Sequence, residues 1–187
     1  MRNILALLVM AALPLLNGCA AVAIGGAATG VVLVDDRRTV GTITEDQGIE
    51  FKASSRVGEK FPNAHLNFTS YNRMLLITGE ASDAAAKSEI EKISRAVENV
   101  RGAYNEVQIA GSSSFSARSN DTYLTSKVKA RFIDARKFNS IHVKVVTEAS
   151  TVYLLGLVTR QEANDATELA RTTGGVQRVV RVFEYLD

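Results

Sequence analysis

Two stretches of this chain carry the same rhythm of apolar and polar positions. Residues 64–90 (AHLNFTSYNRMLLITGEASDAAAKSEI) lie over residues 141–167 (IHVKVVTEASTVYLLGLVTRQEANDAT) at a constant offset of 77. His65 falls on His142, Leu66 on Val143, Phe68 on Val145, Leu75 on Val152, Gly79 on Gly156 and Ser82 on Thr159. After a slip of one residue, 99–109 (NVRGAYNEVQI) covers 175–185 (GVQRVVRVFEY). A pattern that returns in this way predicts two copies of one structural unit.

Within each copy, apolar residues first alternate (Leu66, Phe68; Ile141, Val143, Val145), the period of a half-buried strand. A short polar turn and a denser apolar run follow (MLLITG; TVYLLG), which together predict a hairpin. A helix comes next. In the second copy Thr159 and Glu162 have capping-box spacing, Ala163, Ala166, Leu169 and Ala170 share one side, and Gly174-Gly175 ends it. In the first copy Ser82 is the expected cap, Ala86, Ile90, Ile93 and Val97 recur at helical spacing, and Asn99 suits a left-handed stop. The closing strands are expected over 103–109 and 179–186. Strand, crossover helix and strand imply a right-handed parallel connection. Gly79 and Gly156 share one position at the end of the second strand. Two readings fit there: a backbone crossing too close for a side chain, or a bulge.

Residues 110–120 (AGSSSFSARSN) are small, polar and aperiodic, and predict a flexible linker. Residues 34–48 are expected to form much of a tether. Ahead of them, Arg2, an apolar run over 4–16 and Gly18 have the layout of an export signal, followed at once by the chain's only cysteine, Cys19. The run is shorter than the roughly 20 residues that span a bilayer. An uncleaved anchor, extended by residues 20–34, is the alternative, but three glycines weaken that stretch as a helix. One cysteine makes neither an internal disulfide nor a cysteine-cluster metal site. Leu16-Asn17-Gly18-Cys19 resembles a bacterial lipobox. That resemblance implies removal of residues 1–18, acylation of Cys19 (palmitate among the chains) and, with Ala20 rather than aspartate next, an outer-membrane address.

Without residues 1–18 the chain has 21 basic and 20 acidic side chains and no tryptophan. This balance argues against nucleic-acid binding. The residual bias is local. Residues 121–137 (DTYLTSKVKARFIDARK) predict a helix capped by Asp121, with Leu124, Val128, Phe132 and Ala135 toward the sheet. Tyr123, Lys127 and Arg131 form an adjoining stripe, and Lys129, Arg136 and Lys137 add charge: five basic residues against two acidic in seventeen. The equivalent 48–61 mixes both signs. Such a stripe is either a contact for an anionic surface or an ordinary solvated helix face.

The repeated hairpin, its glycine, the crossover helix and the V-x-x-V and N-x-V endings resemble BON domains. Two such units behind a lipobox, with DRRTVGT (residues 36–42) between, resemble the dual-BON outer-membrane lipoproteins; SNDTYLTSKVKARF (119–132) and VYLLGLVTRQEA (152–163) carry the closest likeness. The resemblance implies an α+β fold of two tandem αββαβ sandwiches, each a three-stranded mixed sheet with helices on one face. The expected layout is signal 1–18, lipidated tether 19–47, first domain 48–110, linker 111–120 and second domain 121–187. The resemblance also implies maintenance of outer-membrane integrity from the periplasmic face, action at the division site, and binding of anionic phospholipid (phosphatidylglycerol, cardiolipin) through the first helix of the second domain. The expected contacts are Tyr123, Leu124, Lys127, Val128, Lys129 and Arg131, with tyrosine at 123 where a tryptophan is usual. The alternative is an adaptor that docks envelope-assembly or cell-wall-remodelling proteins.

No catalytic motif is visible, which points away from an enzyme, and no cofactor is expected. GGAATG (residues 25–30) lacks the flanking strand and helix of a phosphate loop. His65 and His142 open equivalent strands of different copies, so they are expected to be structural rather than joint metal ligands.

Overall fold

A strand that is apolar at nearly every position can be satisfied only if both of its faces are covered. The two dense runs, residues 74–81 and 151–158, meet that condition. The computed structural model describes residues 35–187; the export signal, Cys19 and most of the tether lie outside the described residues. In chain order the elements are α1 (Val40–Lys60), β1 (Leu66–Tyr71), β2 (Met74–Ala81), α2 (Ala84–Arg95), β3 (Gly102–Asn105), β4 (Gln108–Ile109), α3 (Phe115–Ala135), β5 (Val143–Glu148), β6 (Thr151–Val158), α4 (Arg160–Arg171) and β7 (Arg178–Tyr185). A 3-10 turn, Ser140–His142, precedes β5.

Each copy is αββαβ. Its hairpin is antiparallel, and the strand after the crossover helix lies parallel to the hairpin's second strand, giving the orders β1-β2-β3 and β5-β6-β7. The first copy's closing strand is broken after Asn105, whose side-chain oxygen accepts from Val107 N; β4 resumes beside β2 in the same register. The sheet is therefore three-stranded in effect, as in the second copy.

The alternation on β2 and β6 sorts three cores. Leu75 and Ile77 face α1 and α2, meeting Ile49, Ala53, Val57 and Ile90. Val152, Leu154 and Val158 face α3 and α4, meeting Val128, Phe132, Ala163, Ala166 and Ala170. The odd-face residues, Leu76 from one sheet and Tyr153, Leu155 and Leu157 from the other, join Tyr71 and Val182 in a third buried cluster. The helix-free faces of the two sheets are thus packed on each other, and residues 37–187 form one compact unit of helix, sheet, sheet and helix layers. Polar links cross the same seam: Lys144 Nζ to Glu50 Oε1 at 2.8 Å, and Asn72 Nδ2 to Glu184 Oε2 at 2.9 Å.

The first helix of each copy holds its hairpin by the same device. Asn72 and Arg73 turn through positive φ, as do Ala149 and Ser150. Such turns favour glycine, and here an aspartate supports them instead. Asp46 of α1 accepts from Asn72 N (2.9 Å) and Arg73 N (2.7 Å); Asp121 of α3 accepts from Ala149 N (2.9 Å) and Ser150 N (2.8 Å). Asp121 is therefore a buried mid-helix residue and not the expected cap. Ser114 caps α3 instead, accepting from Ala117 N, so residues 115–120 of the expected linker are helical. Their side chains are all exposed, which explains why no period marked them. Likewise α1 starts at Val40 behind a Thr39 cap, inside the expected tether, and α2 is capped by Asp83 rather than Ser82.

At the repeated glycines, an added Cβ would lie 2.0 Å from the His65 carbonyl oxygen (Gly79, φ +113°) and 2.4 Å from that of His142 (Gly156). The obstruction is the chain just before the partner strand, which no rotamer relieves. At the capping box, Thr159 N donates to Glu162 Oε2 and Glu162 N to Thr159 Oγ1. Arg37 closes on the same carboxylate at 2.6 and 2.8 Å and also donates to Leu157 O, tying the entry to α1 onto the second copy. Those bonds hold the Glu162 carboxyl down at about 2.

Three outcomes follow for stability. Gly156→Ala, read by thermal melting, lowers stability by more than about 2 kcal/mol, because a backbone carbonyl must move. Since Glu162 is depressed in the folded state, its contribution is full above the ordinary value of 4.5 and is lost as pH falls from there towards 2. Glu162→Gln thus costs roughly 2 kcal/mol at pH 7 and flattens that acid limb of the denaturation curve. Burial pushes the Tyr153 phenol up to about 12, and its Oη has no hydrogen-bond partner among the described residues. Tyr153→Phe accordingly leaves stability unchanged or raises it by about 1 kcal/mol.

Candidate functional site

Because both sheet faces are occupied, each copy's helices form an outer layer, and α3 presents one side outward. Its inward side is set by Leu124, Val128 and Phe132, all buried, with Asp121 among them. Leu124 and Val128, expected to contact phospholipid, therefore sit under the helix and do not reach a surface. The apolar face is also the packing face, so two of the six expected positions are corrected by burial.

Lys127 and Arg131 are half-buried and held. Lys127 Nζ donates to Gly174 O at 2.7 Å and stands 5.3 Å from the Tyr123 ring centre. Arg131 donates to Leu169 O (2.7 Å) and to the hydroxyls of Thr172 and Thr173 (3.0 Å each). These acceptors end α4, where unpaired carbonyls and the helix dipole favour cations. Neither side chain is neutralised by a carboxylate among the described residues, and each keeps N–H groups to spare.

Tyr123 is 61 % exposed and Lys129 is also exposed. The sequence reading missed what lies beside them. At 3.6 residues per turn, Phe115, Tyr123, Ala130 and Ile133 fall in one outward strip, with Phe115 81 % and Ile133 61 % exposed. Over the later turns of α3, Lys129 borders the strip on one side and Lys127 and Arg131 on the other, with exposed Asp134 on that second side, and Arg136 caps the helix end in a left-handed conformation. Tyr123 and Ile133 beside three cations and one acid make an amphipathic, net-positive surface suited to lie in an anionic interface. An exposed isoleucine on a helix that also has a buried apolar face was the available signal.

The equivalent helix α1 also exposes an apolar side chain, Phe51, but its neighbouring cations are paired. Its Lys52 and Arg56 converge on Glu98, and Lys60 on Glu89. The Arg56 bonds draw Glu98 down to about 2, so that charge is internally paired. No helix among the described residues is long and apolar enough to cross a membrane. His65 and His142 keep separate company: His65 Nδ1 is 3.0 Å from Glu80 Oε2, and His142 Nδ1 is 3.7 Å from Glu162 Oε1.

The BON domain family matches residues 45–111 and 120–187. The chain is 36 % identical to the outer membrane lipoprotein DolP of Haemophilus influenzae, over 92 % of this chain and 91 % of that one. It is 27 % identical to the 21 kDa hemolysin of Actinobacillus pleuropneumoniae, over 81 % and 79 % of the two chains. Its identity to the osmotically-inducible protein Y of Escherichia coli K12 is 26 %, over 75 % and 72 %. Two family matches on two copies of one αββαβ unit, and a relative alike from end to end, establish that this chain belongs to the BON-domain family as a dual-BON protein of the DolP type.

Proposed function

We propose that this chain is an outer-membrane lipoprotein of the periplasmic face, anchored through acylated Cys19, whose second BON domain rests on anionic phospholipid through α3 and helps maintain the envelope, including at the division site. One observation carries the lipid contact: the exposed Tyr123, Ala130 and Ile133 are bordered by Lys127, Lys129 and Arg131, which no carboxylate pairs with among the described residues. The likeness to an outer membrane lipoprotein supports the location. Each basic side chain near an anionic leaflet contributes roughly 1 kcal/mol, and the exposed rings and Ile133 add interfacial burial. Such binding is weak alone, but an acyl anchor raises the local concentration enough for it to matter. The role is one of binding rather than catalysis.

The choice of test variants follows from the geometry. Lys127→Glu and Arg131→Glu would strip the end of α4 of its donors, so a loss there would report folding as well as lipid. Lys129→Glu and the pair Tyr123→Ser with Ile133→Ser leave packed contacts intact. Residues 37–187, mixed with vesicles, are expected to bind those containing phosphatidylglycerol or cardiolipin and to release as salt rises. Lys129→Glu weakens binding about fivefold or more, and the paired serine variant weakens it further. Equal binding to phosphatidylglycerol and phosphatidylcholine vesicles, or variants that bind like the parent, would overturn the lipid reading in favour of the adaptor.

A further inference from the structure

At one end of the seam between the two sheets, two acids are buried. Glu80 ends β2 with 7 % of its surface exposed, and Glu148 ends β5 with 5 %. The fold does not require acids at these places. By the offset of 77, the second copy has Leu157 at the position of Glu80, and the first has Tyr71 at the position of Glu148. His65, just ahead of β1, completes the group, and one donor atom from each of the three lies within 4.8 Å of the others.

What surrounds the carboxylates does not balance their charge. Glu148 Oε2 accepts from Asn67 Nδ2 (2.8 Å) and Thr78 Oγ1 (3.3 Å), both neutral. Glu80 Oε2 meets His65 Nδ1 (3.0 Å) and Ser113 N (3.3 Å). The Oε1 atoms of both accept no hydrogen bond from the described residues, and no lysine or arginine pairs with either acid there. Two nearly buried carboxylates thus face one imidazole where the seam opens to a cleft, an arrangement of oxygen and nitrogen donors with no lysine or arginine paired to it among the described residues. Burial raises the Glu148 carboxyl above its usual range, and the nearby Glu80 charge pushes in the same direction. A cation bound between these donors would offset that negative charge.

We propose that His65, Glu80 and Glu148 form a binding site for a divalent transition-metal ion, Zn2+ by its donor set, that clamps the first BON domain to the second. One imidazole nitrogen and two carboxylate oxygens are ordinary zinc donors, at roughly 2.0–2.2 Å from the ion. Donors on a tetrahedral ion lie about 3.3 Å apart, so a group already inside 4.8 Å has at most about 1.5 Å to close. An entry path exists: His65 and Glu148 line a cleft of about 430 Å³ between β1, β5 and the first turns of α3, and Asn67, Thr69, Arg118 and Thr125 line it too. The fourth coordination position faces this cleft and takes water. Because the three ligands come from both copies, the ion ties the copies together where the apolar seam ends. This goes beyond the lipid reading and does not depend on it, since α3's outward strip contributes no ligand.

The test uses the full chain, purified in detergent and stripped of metal by chelator, titrated with ZnCl2 in a calorimeter and melted with and without the ion. One ion per chain, bound tighter than about 10 µM, with a raised melting midpoint is the expected result. Glu148→Gln and His65→Gln each weaken binding at least about tenfold. The metal-free midpoint of Glu148→Gln stays level or rises, because a buried charge is removed; a purely structural role for Glu148 predicts a fall instead. Circular dichroism verifies that both variants are folded. Absence of binding in this range, or binding that survives both substitutions and so sits elsewhere, overturns the proposal. Neither result alters the vesicle experiment, so the two readings fail separately.

Discussion

Everything in this protein is arranged around the burial of two sheet faces that carry no helices. Leu76 on one side and Tyr153, Leu155 and Leu157 on the other have nowhere else to go. A side chain of that size withdrawn from water contributes about 1.5–3 kcal/mol, so several together outweigh the entropy of fixing one copy against the other. Once the sheets are joined, both helix pairs become the outer layers of the described residues, and α3 is left with a face that packs on none of them.

The charged residues then fall into distinct uses. Asp46 and Asp121 are spent on backbone amides of hairpins whose residues turn through positive φ without glycine. Arg37 is spent on the capping carboxylate of α4, and Lys127 and Arg131 on the far end of the same helix. One helix is thereby held at both ends: its dipole favours Lys127 and Arg131 at the C-terminus and the Glu162 carboxylate at the N-terminus, and Arg37 fixes that carboxylate in place. Lys129 and Arg136 make no such bond among the described residues, and Lys129 borders the exposed strip. The difference between α1 and α3 is thus one of pairing rather than of cation number. The ions of α1 are matched by Glu89 and Glu98 of its own copy.

The acids of the seam belong to neither class. Glu80 and Glu148 lie where the duplicated fold elsewhere uses leucine and tyrosine, and their neighbours satisfy some lone pairs without balancing the charge. Polar groups that break the symmetry of a repeat at a cost in stability are the places to look for function. This molecule has two of them, the outward strip of α3 and the acidic end of the seam.

Much of the fold was written in the pattern of residues. Alternation gave the hairpins, the 77-residue offset gave the duplication, and Thr159 with Glu162 gave a helix start that the structure has. These features are local, and local periodicity reports them. Other features depended on contacts between distant residues. Asp121 has the chemistry of a cap, and only the hairpin folded against it makes it a turn anchor. Ser114 and the exposed first turns of α3 left no period, because a helix surrounded by water has no face to mark. Leu124 and Val128 read equally well as packing or as membrane contacts until burial decided. The order of residues determined two αββαβ units and a basic helix in the second. Tertiary structure alone decided that their bare sheet faces meet, that Leu124 and Val128 are covered while Tyr123 and Ile133 stay exposed, and that His65 lies beside acids from both copies, because each of these depends on contacts between residues far apart in the chain.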